Sequence, residues 1–281
     1  MNTCAAAARV ALQPPLSALA LAFAFLKRSV AVYLSYRLRA FLGLASLAVT
    51  MLGLVLVGRL VSSAGMGFDE RFGMSYTAYA LVGVVAHGSA SAGLRVFRAS
   101  VRREQLQGTL EHLMSSPSDP AALIVLSAAG ELLLSVGGGL LMLAGVSRVA
   151  GLCGVLTSGV LVPLALYALS MTGLGFVSAG VVLVHKEGEP VSWTLSTLTG
   201  LLGGVVFPVE LLPEWLGNVS FILPTTHALS LIRSALVPDH AAPAESLSAL
   251  ASMALVLPII GLLTLRRSLV RARREGSLGH Y

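Results

Sequence analysis

The sequence predicts an all-α integral membrane fold with six transmembrane helices, and three observations carry that prediction. Of its 281 residues, 56% are hydrophobic and only 11% are charged, where a soluble domain carries roughly 25% charge. Six apolar stretches are long enough to cross about 30 Å of hydrocarbon, which takes about 20 residues of helix. The basic residues fall almost wholly on one side of those stretches, as the positive-inside rule requires of a membrane protein.

The six stretches are about 40–61, 74–94, 121–146, 152–184, 191–209 and 247–265. The fourth is long enough to tilt, and Pro163 within it is a candidate kink. The fifth is the shortest and runs directly into another apolar segment, 210–236. Pro208, Pro213 and Pro224 break that continuation, so it cannot be one straight helix. An apolar, proline-broken segment after a span implies a re-entrant helical hairpin on the outer face, because irregular backbone at membrane depth survives only where protein or a water-filled cavity surrounds it. Trp215 suits an interfacial anchor there.

Orientation follows from the Lys and Arg distribution. With the N-terminus inside, 15 of the 19 fall on the cytosolic side, leaving Arg59, Arg71, Arg148 and Arg233 outside. Both termini are therefore expected in the cytosol, and the bias of Arg over Lys, with the abundant Ala, Gly, Leu and Val, points to a GC-rich bacterial genome and so to the bacterial inner membrane. Residues 1–39 form a cytosolic segment whose stretch Pro15–Arg39 mixes apolar residues with Lys27, Arg28, Arg37 and Arg39, suiting a helix along the inner membrane face. A marginal seventh span over Leu16–Leu26 is the alternative. That stretch ends in Lys27-Arg28 where a signal peptide would carry a small-residue cleavage site, so no cleaved leader is expected. Residues 40–265 make the membrane domain and 266–281 a basic tail. The net charge of +6 sits beside apolar runs, which points to anionic lipid and not to nucleic acid. Cys4 and Cys153 fall on opposite sides of the membrane, which excludes a disulfide or a thiolate metal site.

Several chemistries are excluded by what is missing. Neither Lys27 nor Lys186 follows a glycine, so there is no phosphate-cradling Gly-Lys-Ser/Thr loop and no ATP site of that kind. The chain has no G-x-S-x-G elbow and no H-E-x-x-H pair, and only His87 lies clearly within a span, which leaves no facing histidines for haem. No enzymatic activity, cofactor or metal is expected of this chain by itself.

Between the second and third spans, Leu106, Leu110, Leu113 and Met114 recur at one helical face, while Glu104, Gln107, Glu111 and His112 lie off it. That pattern predicts an amphipathic helix at the cytosolic surface, stopped by Pro117 and Pro120. It is either a solvated connector or a docking element. Gly108 inside it costs about 1 kcal/mol relative to Ala, which suggests close approach of a partner.

The string R-E-x-x-x-G-T-L-E-x-L-x-x-S-P over Arg103–Pro117, joined to F-P-V-x-x-L-P-x-W-L from Phe207 and L-P-x-T-x-A-L-x-x-x-R ending at Arg233, resembles the membrane subunit of type-2 ATP-binding-cassette transporters. These include drug, lipid and polysaccharide exporters. The resemblance implies that the first string carries the coupling helix that docks on the ATPase, matched here by Arg103, Glu104, Gly108, Thr109, Leu110 and Glu111. It implies that the second is the outer re-entrant hairpin, matched by Phe207, Pro208, Leu212, Pro213, Trp215, Leu216 and Pro224. It further implies a permease dimer working with two cytosolic ATPase subunits, which would hold the ATP and Mg. The chain departs from the family in the start of its third span, Pro120-Ala121-Ala122, which is less basic than usual.

Two further features bear on mechanism. Ser196, Gly200 and Gly204 repeat every four residues, a stripe of small residues that lets helices approach, either within one protomer or across a dimer. Glu131 is an acid inside the third span, and such residues are costly and usually functional. It either faces the bundle interior with His87 as its partner at similar depth, or lies at the inner interface if the span starts late. An ATP-independent membrane scaffold and a proton-coupled secondary transporter using Glu131 and His87 remain as rival functions. The second usually shows repeated halves, and none is visible.

Overall fold

A computed structural model of the chain describes Lys27 and residues 37–63, 68–108, 119–149, 157–185, 189–237 and 243–274. The expected interfacial helix before residue 37, Cys4, Cys153 and most of the amphipathic stretch 106–114 lie outside the described residues. Within them, all regular structure is helical: α1 (Arg37–Ser63), α2 (Phe68–Phe72), α3 (Tyr76–Ala90), α4 (Ala92–Leu106), α5 (Pro120–Val149), α6 (Ser158–His185), α7 (Glu189–Leu202), α8 (Glu214–Ser220), α9 (Pro224–Leu236) and α10 (Ala244–Arg274). A short 3-10 turn, Val209–Leu211, separates α7 from α8.

The contacts between helices fix their directions. Along α6, His87 meets Tyr167 and Phe97 meets Phe176, so α3 and α4 run parallel to α6. Gly173 packs on Leu257 and Pro258, and Gly180 packs on Ser268, so α10 runs parallel to α6 as well. The remaining long helices run the other way. Thr77 at the start of α3 meets Gly58 near the end of α1, and Ser89 and Ser100 of α3 and α4 meet Gly139 and Ser127 of α5. The bundle therefore has an arginine-rich end, with Arg98, Arg102 and Arg103 on α4 and Arg266, Arg267 and Arg271 on α10, and an opposite end where α3, α6 and α10 begin.

Each element starts for a local reason. Ser75 caps α3 by accepting a hydrogen bond from the Ala78 amide at 3.3 Å, satisfying one of the orphan donors of the first turn. The helix continues as α4 after a slight break at Ser91, so the second expected span extends well past residue 94. Pro163 and Pro258 are both accommodated inside continuous helices. At Gly173 and Gly261 a β-carbon would strike the backbone of the facing helix, which is why α6 and α10 can lie so close together.

The core runs along the bundle as separate packed clusters. Leu81, Val82, Val85, Leu143, Leu164, Leu229 and Ile232 fill the half away from the arginine-rich end, and Phe97, Ile124, Phe176, Leu183 and Leu265 fill the other. By contrast α1 leaves Phe41, Leu42, Leu52 and Leu56 exposed, and α10 leaves Leu255, Val256, Ile259 and Ile260 exposed, as lipid-facing or partner-facing surfaces are.

Among the described residues, five helices, counting α3 with α4 as one, are long and apolar enough to span, or six if the bent pair α8–α9 is a single broken span. The fifth expected span is the exception. α7 has 14 residues, about 21 Å of rise, and it ends at Leu202 and not at residue 209. The hydropathy of 203–209 belongs to an irregular chain reversal.

Candidate functional site

The reversal after α7 is held by glycine and proline geometry and by side-chain bonds to its backbone. Gly204 takes φ +75°, a left-handed conformation that costs a glycine little and other residues more. Pro208 and Pro213 hold the extended conformations that introduce the 3-10 turn and α8. Pro224 occupies the first turn of α9, where its missing amide is no loss. α8 and α9 then meet at 83°. The bend is fixed by the first turn of α9: Thr226 Oγ1 donates to the Ser220 carbonyl at 2.6 Å, and His227 Nε2 donates to the Phe221 carbonyl at 2.8 Å. The second bond satisfies a carbonyl that the end of α8 leaves open, and the first adds a donor to the Ser220 carbonyl, which also accepts from the Leu223 amide.

Arg233 on α9 closes the reversal from the other side. Only 8% exposed, it donates to the carbonyls of Gly204 and Val205, each at 2.9 Å, and to that of Tyr79 at 3.1 Å. Its guanidinium lies 3.3 Å from the centroid of the Tyr79 ring. The planar fork of Arg matches this divergent set of acceptors in a way Lys would not. Room for it comes from Gly83, where a β-carbon would strike the Val205 carbonyl and the guanidinium. In the sequence Arg233 counts as one of the four basic residues outside and as the last residue of the second string of the resemblance; its place in the apolar run Leu231-Ile232-Arg233 is the further signal that it does more.

A second buried polar chain ties the base of this structure to the bundle. Tyr167, fully buried on α6, donates to Thr225 Oγ1 at 3.0 Å and meets His87 Nδ1 at 2.5 Å. Gly200 of α7 lies directly against the same imidazole. Tyr167 and Thr225 carried no sequence signal beyond being polar in apolar surroundings.

The structure does not bring His87 and Glu131 together. Glu131 Oε1 accepts from Arg103 at 3.0 Å, with both side chains partly exposed at the arginine-rich end. The register explains the difference. Ser89 faces Gly139 and Ser100 faces Ser127, so Glu131 lies roughly level with residue 96, about 13 Å below His87 at 1.5 Å per residue. Nearby, Asp119 takes a 2.7 Å ion pair from Arg266, joining the start of α5 to α10.

Of the expected stripe, Ser196 and Gly200 lie on α7 while Gly204 lies beyond its end, so the three do not share a helical face. Gly200 packs within the protomer. Of the expected docking string, Arg103 and Glu104 lie on α4, whose regular structure stops at Leu106. Gly108 has φ +66° and ends the helix; it is not a mid-helix glycine, and the single helix expected through 102–114 is interrupted there. Leu106 is 67% exposed beside it. Thr109, Leu110 and Glu111 lie outside the described residues. In the other string, Phe207, Trp215 and the 3-10 turn residue Leu211 point outward, Leu212 and Leu216 are partly buried, and Pro208, Pro213 and Pro224 mark the breaks.

Comparison with known proteins agrees with this architecture. The family model described as ABC-2 type transporter matches residues 20–237. Nodulation protein J of Rhizobium leguminosarum bv. viciae is 27% identical over 206 residues, covering 71% of this chain and 78% of the relative. The protein of the same name from R. leguminosarum bv. trifolii is 29% identical over 167 residues, covering 57% and 62%. That of Rhizobium meliloti strain 1021 is 28% identical over 180 residues, covering 62% and 67%. A multi-pass helical membrane chain whose family match extends through the proline-broken reversal and its arginine is thereby assigned: it belongs to the ABC-2 type transporter family.

Proposed function

We propose that the chain is the permease subunit of an ATP-binding-cassette exporter, forming the path for a hydrophobic or amphipathic substrate of the drug, lipid or polysaccharide class. The observation that carries this reading is the family match over residues 20–237, joined to an all-helical bundle with a basic end. In the reading, both termini and the arginine-rich end face the cytosol, and the chain sits in the inner membrane. Arg103, Glu104 and the segment Gly108–Glu111 dock on a separate ATPase, which holds ATP and Mg. The reversal from Phe207 to Pro224 is the outer re-entrant hairpin, and two permeases form the dimer. Closing of the ATPase on ATP biases the permease toward its outward-open state, and the work available is the difference in ATP affinity between the two states.

The exposed Leu106 and the helix end at Gly108 support docking over a solvated connector, because they put an apolar surface and a sharp turn at the basic end. Co-expression with an ATP-binding-cassette ATPase from the same organism tests the reading. The two should co-purify, the permease should stimulate ATP hydrolysis, and Glu111→Lys or Gly108→Trp should abolish that stimulation while membrane insertion persists. Unchanged stimulation in both variants would remove the segment from the interface, and no ATPase association at all would favour a scaffold.

A further inference from the structure

The segment between Gly108 and Asp119 leaves the bundle from α4 and returns to it at α5. Ser100 meets Ser127 across these antiparallel helices at 3.0 Å, which sets Leu106 level with residue 121 at equal rise per residue. Both ends of the segment therefore emerge side by side at the arginine-rich end. They are held differently. α4 belongs to a block of three helices in backbone contact. A β-carbon at Gly93 would strike the Thr172 backbone of α6, one at Gly175 the Gly93 carbonyl, and one at Gly261 of α10 the Gly173 carbonyl. Helices packed backbone to backbone have little room to shift singly.

At the start of α5, Ala121 and Ile124 are buried in the cluster of Phe97, Phe176 and Leu265, and such apolar packing is non-directional. Directional contacts come from Asp119. Its Oδ1 accepts from the Ala121 amide at 3.1 Å, capping the first turn, and its Oδ2 accepts from Arg266 of α10 at 2.7 Å. One carboxylate thus fixes the first turn of α5 and ties it to the block that carries α4. The two side chains are about half exposed, 44% for Asp119 and 54% for Arg266. A pair that accessible contributes little to stability; its effect is on where the outgoing end of the segment sits. The Arg103–Glu131 pair does not share this role, since Glu131 lies about 18 Å further along α5 at 1.5 Å per residue.

We propose that Asp119 is a positioning residue for coupling to the ATPase: by holding the outgoing end of the docking segment on Arg266, it presents that segment tethered at both ends to one rigid block. The proposal rests on the reading of Gly108–Glu111 as the ATPase contact. With Asp119 released, α5 keeps its apolar packing but the segment loses its fixed span. Movement of the ATPase is then absorbed by the loose end before it reaches the bundle.

The test uses the full chain in lipid nanodiscs with an ATP-binding-cassette ATPase from the same organism, reading stimulated ATP hydrolysis, co-purification and the thermal melt. Asparagine caps a helix as well as aspartate does, so Asp119→Asn removes the pair and keeps the cap. Asp119→Asn and Arg266→Gln should each cut stimulation about threefold or more, and the double variant no further than the lower single, with the ATPase still bound and the melt unchanged. Arg266→Lys should keep most of the stimulation, and Arg267→Gln all of it. In a chain carrying Cys4→Ser and Cys153→Ser, the pair Asp119→Cys and Arg266→Cys should stimulate weakly. Bridging the two thiols with a short bis-methanethiosulfonate should restore stimulation, and reduction should remove it again. Full stimulation in both single variants, additive losses in the double, or an equal loss in Arg267→Gln overturns the proposal. So does a bridged protein that stays inactive, which would mean that the pair has to part. Should Asp119→Asn fail to fold, Arg266→Gln and the reversible bridge still decide. Wild-type behaviour of the variants with the ATPase attached sinks the role of Asp119 alone, whereas absence of the ATPase from the wild-type chain sinks the permease reading itself.

Discussion

Replacing Arg233 by alanine removes three hydrogen bonds to carbonyls and a ring contact from one buried point. A hydrogen bond to a charged group contributes about 1.5–3 kcal/mol, so the simple sum would reach several kcal/mol. It will not be realised in full, because a cavity of about 800 Å³ beside the reversal can admit water to the freed carbonyls. Leaving a buried acceptor unsatisfied costs about 1–3 kcal/mol, and with water reaching part of the set a loss of about 3 kcal/mol is expected. For a chain of this length it lowers the apparent melting temperature on the order of 10 °C, measured by tryptophan fluorescence in nanodiscs. Gly83→Ala attacks the same clamp by another route, since its methyl would occupy the space of the guanidinium and the Val205 carbonyl. The two substitutions should therefore be non-additive, with a coupling of at least about 1 kcal/mol. Arg148→Ala, an exposed arginine at the same end of the bundle, should change stability by no more than about 0.5 kcal/mol. Additive losses for Arg233→Ala and Gly83→Ala, or a wild-type melt for Arg233→Ala, would refute the clamp.

Glu131→Leu should retain transport and lose under about 1 kcal/mol, because its pair with Arg103 is solvent-accessible and screened; a transport-dead variant that folds would restore an interior role for the carboxylate. Tyr167→Phe keeps the ring and strands His87 and Thr225, so it should cost about 1–3 kcal/mol in a thermal melt; an unchanged melt would mean that water or a rearranged rotamer replaces the hydroxyl. Single cysteines at 68–73 should label from outside in intact cells, and cysteines at 98–108 or 268–274 only after permeabilisation. External labelling of 98–108 would invert the proposed orientation.

Composition and charge carried most of the bundle because hydrocarbon leaves few alternatives: a long apolar run must be helical, and arginine must stay near one face. The α3, α5, α6 and α10 spans were legible on those grounds. Their ends were less so, since α4 carries the helix on to Leu106 and α5 begins at Pro120, and apolar length alone does not mark where a helix stops. That error placed Glu131 level with His87, when the antiparallel register sets it about 13 Å lower. Proline positions announced that 203–224 was broken, but not what would satisfy its backbone. Tyr79, Gly83 and Arg233 are separated by up to 154 positions in sequence, and only the packed helices reveal that they form one contact. Gly108 was misread for a related reason: the heptad-like apolar spacing around it continues across a residue whose backbone has left the helix.

The arginine clamp also constrains how the polypeptide can be assembled. Residues 203–205 emerge from the ribosome before α9, yet the side chain that satisfies the Gly204 and Val205 carbonyls belongs to α9. Until Arg233 arrives, the Val205 carbonyl needs water and the Gly204 carbonyl has only a long 3.5 Å bond from the Tyr79 hydroxyl, so α7 cannot settle at its final depth with lipid around its end. Arg233 is equally unsuited to travelling alone, because an arginine among apolar residues without acceptors is costly in hydrocarbon. The two defects cancel only when both segments meet against Tyr79 of α3, already in place. Biogenesis of this end of the bundle is thus a single late step that joins chain separated by synthesis, and a ribosome-stalled intermediate ending before Arg233 should hold residues 203–205 in a protease-sensitive, hydrated state.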